Sequence, residues 1–318
     1  MSEWKIGFDI GGTKCVAILG KIDGATITVV EKTVYATADT ATPFACIERF
    51  CQETEKLLAK YPEAEPTSVG ISCGGPLDSK RGIVMSPPNL PGWDNIPVCE
   101  LVEKRLSLPV RLCNDADACA VAEWKFGAGR GAENMAFLTF GTGLGAGLIL
   151  NGNLYSGASG MAGECGHIRL AEDGPLGYGK HGSFEGFCSG GGIGRMGRAY
   201  AEKHLPLSWC KTPEDLDKVS AKVIAEAAAA GDEAAKMIYA ESGKRLGYGL
   251  AILIDILNLD RIVIGSVFQR SEGLLRPAME AVLKEECLPL SLEQCKIVPA
   301  QLGDSIGDIA ALSVALLK

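Results

Sequence analysis

Two stretches of this chain carry the residue types and spacing that hold an anion. Phe8-Asp9-Ile10-Gly11-Gly12-Thr13-Lys14 runs from an apolar segment through a carboxylate, two glycines and a hydroxyl, and the apolar run 15–19 follows at once. Phe137-Leu138-Thr139-Phe140 leads into Gly141-Thr142-Gly143-Leu144-Gly145-Ala146-Gly147, and the apolar run 148–150 leaves. Glycines at such bends let backbone N–H groups approach a phosphate with no Cβ in the way. A carboxylate beside the bend, here Asp9, can hold a magnesium ion or its waters. Either hairpin alone also reads as a plain tight turn. Two with one layout, each carrying a threonine, suggest two phosphate grips facing one nucleotide. Neither is a G-x-G-x-x-G turn between strand and helix, and no G-x-x-x-x-G-K-[ST] occurs. A dinucleotide-dependent oxidoreductase and a P-loop enzyme therefore lack their fingerprints.

Three further clusters bear chemistry. Asn114-Asp115-Ala116-Asp117 follows a strand-like run and opens a helical one. It reads as a helix cap, or as a carboxylate at a strand's carboxyl end, where clefts of α/β proteins lie and where a substrate hydroxyl can lose its proton. Gly163-Glu164-Cys165-Gly166-His167 sets a Glu and a His three apart among glycines. That set suits vicinal hydroxyls, since carboxylate accepts, imidazole donates or accepts, and glycine lets a ligand approach; a structural histidine is the alternative. Glu185, in Gly182-Ser183-Phe184-Glu185, is either a third polar contact or a surface glutamate. The proline-stiffened loop from Ser86 to Trp93 offers Asn89 and Trp93 as exposed ligand contacts, or else is an ordinary turn with a packed tryptophan.

Positioning these groups requires an alternation of strands and helices. Residues 4–37 read as a three-strand meander, 42–61 as a helix with Phe44, Ile47, Phe50, Leu57 and Leu58 near helical spacing, and 68–73 as a buried strand closed by Gly74-Gly75-Pro76. A short helix at 98–106, a strand at 110–113 and an alanine-rich helix at 116–126 follow. A similar order restarts at Met135. Helices are expected at 221–230, 233–258, near 274–286 and at 305–317, with strands at 261–264 and 296–299. The chain is long enough for two α/β domains around a cleft: a small one over 1–117, a larger one over 118–302, and a last helix, 303–318, expected to pack back on the first.

Composition narrows the class. Of 318 residues, 47% are hydrophobic and 40 are glycine, which suits large cores with many close turns. A net charge of -8 argues against nucleic acid as a partner, because a phosphate backbone needs a basic surface. No uncharged apolar stretch reaches membrane-spanning length, so no membrane partner is expected. Twelve cysteines without a C-x-x-C pair, several inside apolar runs, look reduced and structural. With no apolar leader ahead of the first strand, a cytoplasmic location is expected.

Taken in order, Asp9-Ile10-Gly11-Gly12-Thr13-Lys14, Asn89-Leu90-Pro91-Gly92-Trp93, Asn114-Asp115-Ala116-Asp117-Ala118, the hairpin after Thr139 and Gly163-Glu164-Cys165-Gly166-His167 resemble the ROK family of bacterial sugar kinases and related repressors. The resemblance spans nearly the whole chain. It implies the actin-like ATPase (hexokinase) fold and a homodimer or homotetramer. It also implies ATP-dependent phosphorylation, with Mg²⁺, of the 6-hydroxyl of glucose or a related hexose. Fructokinase, N-acetylhexosamine kinase and a non-catalytic sugar-sensing regulator are the alternatives. DNA binding by such a regulator is disfavoured by the acidic balance and by a glycine motif that starts within a few residues of Met1.

By the same resemblance Asp115 is the catalytic base, and Gly75, Asn89, Asn114, Glu164, His167 and Glu185 contact the sugar. Gly11, Gly12, Thr13 and Lys14 match the first phosphate loop, Thr142 and Gly143 the second, and Gly265 the loop near the adenosine. Asp9 touches Mg²⁺ through water. Two departures stand out. Family members carry C-x-C-G-x-x-G-C-x-E after the Gly-His, three of whose cysteines join the histidine on a structural zinc; here Leu176, Tyr178 and Ser183 occupy the cysteine places. One imidazole does not make a tetrahedral site, so no zinc is expected. Ser266 replaces the second glycine of a common Gly-Gly pair, a change small enough for nucleotide binding to survive.

Overall fold

The computed structural model describes residues 2–317; Met1 and Lys318, which bound the expected domain ranges, lie outside them. The first half runs β1 (Glu3–Ile10), β2 (Lys14–Asp23), β3 (Thr26–Ala36), α1 (Pro43–Lys60), β4 (Pro66–Cys73), a ribbon of β5 (Leu77–Asp78) and β6 (Ile83–Val84), α2 (Val98–Leu106), β7 (Val110–Asn114) and α3 (Asp115–Phe126). The second runs β8 (Met135–Phe140), β9 (Leu144–Leu150), β10 (Asn153–Leu154), a ribbon of β11 (Leu176–Gly177) and β12 (Lys180–His181), then α4 (Phe184–Phe187), α5 (Gly190–His204), α6 (Ala221–Ala229) and α7 (Glu233–Leu257). It closes with β13 (Arg261–Ile264), α8 (Val267–Glu286), α9 (Pro289–Gln294), β14 (Lys296–Pro299) and α10 (Ile306–Val314). Two five-stranded sheets result, ordered β3-β2-β1-β4-β7 and β10-β9-β8-β13-β14. In each, an antiparallel three-strand meander is extended by two parallel strands.

Local chemistry explains the elements that matter for the cleft. Helix α1 starts where the Thr42 side chain accepts the N–H of Ala45 and Pro43 takes a position needing no donor. It buries Ile47, Phe50 and Leu57, and Phe50 stacks on Phe8 of β1 at 3.8 Å. Phe44, expected among its core positions, stands 57% exposed, because the first turn meets the sheet with Pro43 and Cys46 instead.

Helix α10 brings the end of the chain onto the first sheet. Its bed is made of glycines on neighbouring strands: Gly7 pairs with Gly70 across β1 and β4, and Gly20 lies on β2. A Cβ on Gly70 would stand 2.2 Å from the Ala311 carbonyl oxygen, and one on Gly20 would stand 2.3 Å from Leu312. Only residues without side chains let a helix sit so low on a sheet. Helix α3 seats itself on β9 in the same way. A Cβ on Gly147 would meet Ala120 at 2.6 Å and the Ala116 carbonyl at 2.7 Å. The far end of α3 is tied by Glu123, fully buried, which accepts the backbone N–H groups of Ala128, Gln301 and Leu302 at 2.7–2.9 Å.

Three local expectations need correction. Helix α5 was not anticipated, because Gly190-Gly191-Gly192 is a poor helical opening; Ser189 caps it by accepting the N–H of Gly192. Helix α8 starts at Val267 rather than near Leu274, with a kink at Ser271 and Pro277 inside it. Trp93 is not a ligand contact: it is 3% exposed and packs into the core of the first half. All twelve cysteines are free thiols. No helix among the described residues is long and apolar enough to cross a membrane.

Candidate active site

The alternating glycines of the second hairpin each have a separate structural cause. Gly145 and Gly147 make the bed for the first turn of α3, while Gly143 makes room for Glu185, whose Oε2 would lie 2.7 Å from a Cβ there. That oxygen accepts the N–H of Leu144 at 3.1 Å. A Cβ on Gly141 would lie 3.8 Å from Ser266 Oγ. The hairpin tip, Gly141-Thr142-Gly143, docks on the start of α5, where Gly190 N–H donates to the Gly141 carbonyl at 2.7 Å and Gly191 N–H to that of Thr142 at 3.2 Å. The run of glycines that hid α5 is what lets its N-terminus touch another backbone.

Beside this tip lies a cleft of about 600 Å³ whose walls include Thr142, Gly190, Ser266, Arg270, Lys222 and Glu226. Its size suits a nucleoside. Gly265 donates its N–H to the Leu138 carbonyl at 3.0 Å and sets the turn into α8. Ser266 holds φ 54° at that turn, and its hydroxyl accepts from Arg270 at 3.0 Å. Sequence reasoning found Gly265 but not Arg270, which becomes a neighbour only through the turn of α8.

The first hairpin, Gly11-Gly12-Thr13, matches the second in length. The Gly11 N–H donates to the Lys14 carbonyl at 3.0 Å, and the Thr37 hydroxyl donates to the Gly11 carbonyl at 2.6 Å. A Cβ on Gly12 would stand 2.5 Å from the Asn89 carbonyl oxygen, so the loop carrying Asn89 lies directly against this hairpin. Thr13, Lys14 and Asn89 are exposed. Gly75 precedes Pro76 at the end of β4, with open space where its Cβ would be.

Asp115 is the first residue of α3, at the carboxyl end of β7. The capping reading of its cluster holds, and the carboxylate does lie at a strand's carboxyl end. Asn114 caps the helix, its Oδ1 accepting the Asp117 N–H at 2.7 Å, and Asp115 Oδ1 accepts the Ala116 N–H at 2.8 Å. Asp115 is exposed, yet the protein around it is dense enough that desolvation pushes its pKa up against the pull of the Ala116 N–H. The charge of Asp115 also bears on Asp9 and Asp117.

Asp9 is pushed up to about 6, first by burial, then by the charges of Asp308 and Asp115, against Lys14 and Lys32. Asp308 arrives on α10 and pairs with Lys32 at 2.5 Å; nothing in its local sequence marked it. No group of three or more His, Cys, Asp or Glu among the described residues can hold a metal alone. One carboxylate supplemented by phosphates and water fits magnesium, which is bound in that way in nucleotide sites. Asp117 is 3% exposed and pushed up to about 7, chiefly by burial. The Ser156 hydroxyl reaches its Oδ2 at 3.3 Å, while its Oδ1 has no partner among the described residues.

Glu164 precedes, and His167 ends, a single turn of 3-10 helix, Cys165–His167. The Tyr178 hydroxyl donates to Glu164 Oε2 at 3.3 Å, and its ring lies on the His167 ring at 3.9 Å between centroids. Burial first, then the charges of Glu164, Glu185 and Asp115, push the pKa of the Tyr178 phenol up. The residues in the three cysteine places do not fit zinc. Leu176 has no donor atom, and the buried Ser183 hydroxyl is spent on the Gly177 carbonyl and the Gly186 N–H, both at 3.1 Å.

Comparison with known proteins gives the chain's relatives. The ROK family model matches residues 5–317. A glucokinase of Thermotoga maritima is 31% identical over 311 residues, 97% of this chain and 96% of that protein. The crystal structure of a ROK family glucokinase from Streptomyces griseus, in complex with glucose and AMPPNP, superposes with a TM-score of 0.72 at 31% identity, covering 98% of this chain and 99% of that one. A ROK family transcriptional regulator, a homologue of the E. coli MLC protein, superposes at 0.85 with 26% identity, covering 98% of this chain and 78% of its own. The two-sheet architecture is the actin-like ATPase fold of these proteins.

Proposed function

The chain belongs to the ROK family, and from that premise we propose that it is an ATP-dependent kinase acting on the 6-hydroxyl of glucose or a close relative. The single observation that carries the reading is Asp115. It is an exposed ionisable group at a helix N-terminus, and its charge bears both on Asp9 and on Tyr178, the phenol that also feels Glu164 and Glu185.

In this reading Asp115 orients the sugar's primary alcohol and accepts its proton as the new phosphorus–oxygen bond forms. A pKa raised above the ordinary carboxylate value strengthens it as a base, while the helix N-terminus keeps its charged form accessible. Such a base contributes about 10²–10⁴-fold. The rest of phosphoryl transfer is positioning and charge stabilisation. Backbone N–H groups of Gly11, Gly12, Thr13 and Lys14 on one side, and of Thr142 and Gly143 on the other, orient the phosphate chain. Gly265 lies by the adenosine. Asp9 would hold magnesium through water, and the ion, when bound, offsets charge on the phosphate oxygens. Gly75, Asn89, Asn114, Glu164, His167 and Glu185 fix the sugar hydroxyls. Glu185 touches both sides, since it faces the sugar group and also holds the Leu144 N–H of the phosphate hairpin. Closure of the cleft excludes water and limits wasteful hydrolysis of ATP.

A sugar-sensing regulator is the second reading, favoured by the high superposition with the MLC homologue. A coupled ADP-release assay over glucose, mannose, fructose, glucosamine and N-acetylated hexosamines separates the two. The kinase reading expects sugar-dependent ADP formation, highest with glucose or a near relative. Sugar binding with no ADP release from any member of the panel would replace it with the regulator.

A further inference from the structure

Tyr178 occupies a position that packing alone does not require. It lies in the two-residue turn of the β11–β12 ribbon, where Leu176 pairs with His181 and Gly177 with Lys180. Both turn residues have positive φ, 51° at Tyr178 and 72° at Gly179. A type I′ turn demands that of both, and Asn-Gly is the pair that meets it without strain. A bulky aromatic at positive φ is an outlier that survives where its surroundings hold it. The surroundings do hold it. Gly177 lies so close to α4 that a Cβ would stand 2.6 Å from the Gly186 nitrogen, and the ribbon carbonyl of Gly177 takes the Ser183 hydroxyl. Gly166 leaves just enough room for the ring, whose Cε2 would be 3.1 Å from a Cβ at that position.

The residue is nevertheless 46% exposed. Its contacts are the two residues flanking the Gly166 turn: the face of His167, and Glu164 Oε2 through the hydroxyl. We propose that Tyr178 is a positioning residue that clasps Glu164 and His167 into one unit facing the cleft, doing with a ring and a hydroxyl what a metal ion cannot do with this donor set. The inference rests on the reading that those two residues take sugar hydroxyls. Its consequences are specific. Glu164 is left with Oε1 for the substrate, and His167 with one face and its edge. Burial and the neighbouring carboxylates push the phenol pKa up, so the hydroxyl remains a donor throughout the working range. A sugar entering this pocket therefore meets an oriented acceptor beside an imidazole held in a fixed plane.

The test uses Tyr178→Asn, which favours the turn but removes the clasp, and Tyr178→Phe, which keeps the ring and loses the hydroxyl. Glucose affinity is measured by calorimetry without nucleotide, the ATP KM by ADP release, and the His167 ring protons by NMR. Tyr178→Asn is expected to melt at or above the parent temperature, bind glucose at least about tenfold more weakly and leave the ATP KM within about twofold. Tyr178→Phe is expected to lose about threefold in glucose affinity. The His167 resonances should move in the Asn variant, which lacks the ring current, and stay near the parent positions in the Phe variant. Glucose affinity of Tyr178→Asn within about twofold of the parent overturns the clasp alone. Unmoved His167 resonances in that variant overturn it as well. A parent protein that binds no hexose of the panel overturns the reading of the pocket and the clasp with it.

Discussion

Gly143→Ala is predicted to weaken sugar handling although the residue belongs to the phosphate hairpin. Gly143 has an ordinary φ, so alanine is tolerated by the backbone. Its new Cβ would stand 2.7 Å from Glu185 Oε2, an oxygen that already accepts the Leu144 N–H at 3.1 Å. To regain ordinary contact the carboxylate must retreat by about 0.7 Å. Losing the hydrogen bond costs about 1 kcal/mol, roughly fivefold, and a shift approaching 1 Å in a substrate-holding group adds to that. The sugar KM is expected to rise about tenfold or more, with a stability loss near 1 kcal/mol. Initial rates of ADP release, with sugar and ATP varied separately, measure it. Gly141→Ala is the control: its nearest neighbour, Ser266 Oγ, is 3.8 Å away, so the sugar KM should stay within about twofold while the ATP KM is free to change. Equal sugar effects in the two variants, or none at Gly143, would refute the argument.

Three further outcomes follow from the same geometry. Asp9 and Asp117 have folded pKa values of about 6 and about 7, above the ordinary 3.8. Their protonated forms therefore favour the fold, a contribution complete below about pH 4 and lost as pH rises through 6 and 7. Asp117→Asn should remove the upper part of that loss and stabilise the ligand-free protein at pH 8 by roughly 1–4 kcal/mol, read by urea unfolding; no gain there contradicts it. Gly70→Ala sets a methyl 2.2 Å from the Ala311 carbonyl oxygen of α10 and 2.4 Å from the Ala315 nitrogen just beyond it, and should destabilise by about 3 kcal/mol or more in the same assay, whereas a loss under about 1 kcal/mol would show that α10 does not rest there. Purified protein should carry far less than one zinc per chain, and a zinc-selective chelator should leave ADP release unchanged in excess Mg²⁺; stoichiometric zinc in elemental analysis contradicts this.

The parts of the site written in local sequence were legible, and those assembled by packing were not. Hairpins such as Gly11-Gly12-Thr13 and Gly141-Thr142-Gly143 show themselves in a few residues, as does the cap Asn114 that precedes Asp115. Asp308 was invisible because it reaches Asp9 only after α10 settles on Gly7, Gly20 and Gly70. Helix α5 was invisible because its opening glycines oppose helix formation locally, and the backbone contacts with Gly141 and Thr142 that favour them are distant in sequence. Trp93 and Phe44 exchanged the roles expected of them, since aromatic exposure depends on which element lies above. Tyr178 looked like a lost cysteine; its link to Glu164 and His167 emerges from two loops folding together.

Asp115→Asn tests the central claim most directly, measured as glucose affinity by calorimetry beside sugar-dependent ADP release. The side chain keeps its size and the acceptor for the Ala116 N–H but loses its basicity. The account predicts nearly parental affinity and turnover reduced at least about 10²-fold. Turnover close to that of the parent would remove Asp115 from the reaction and contradict the account.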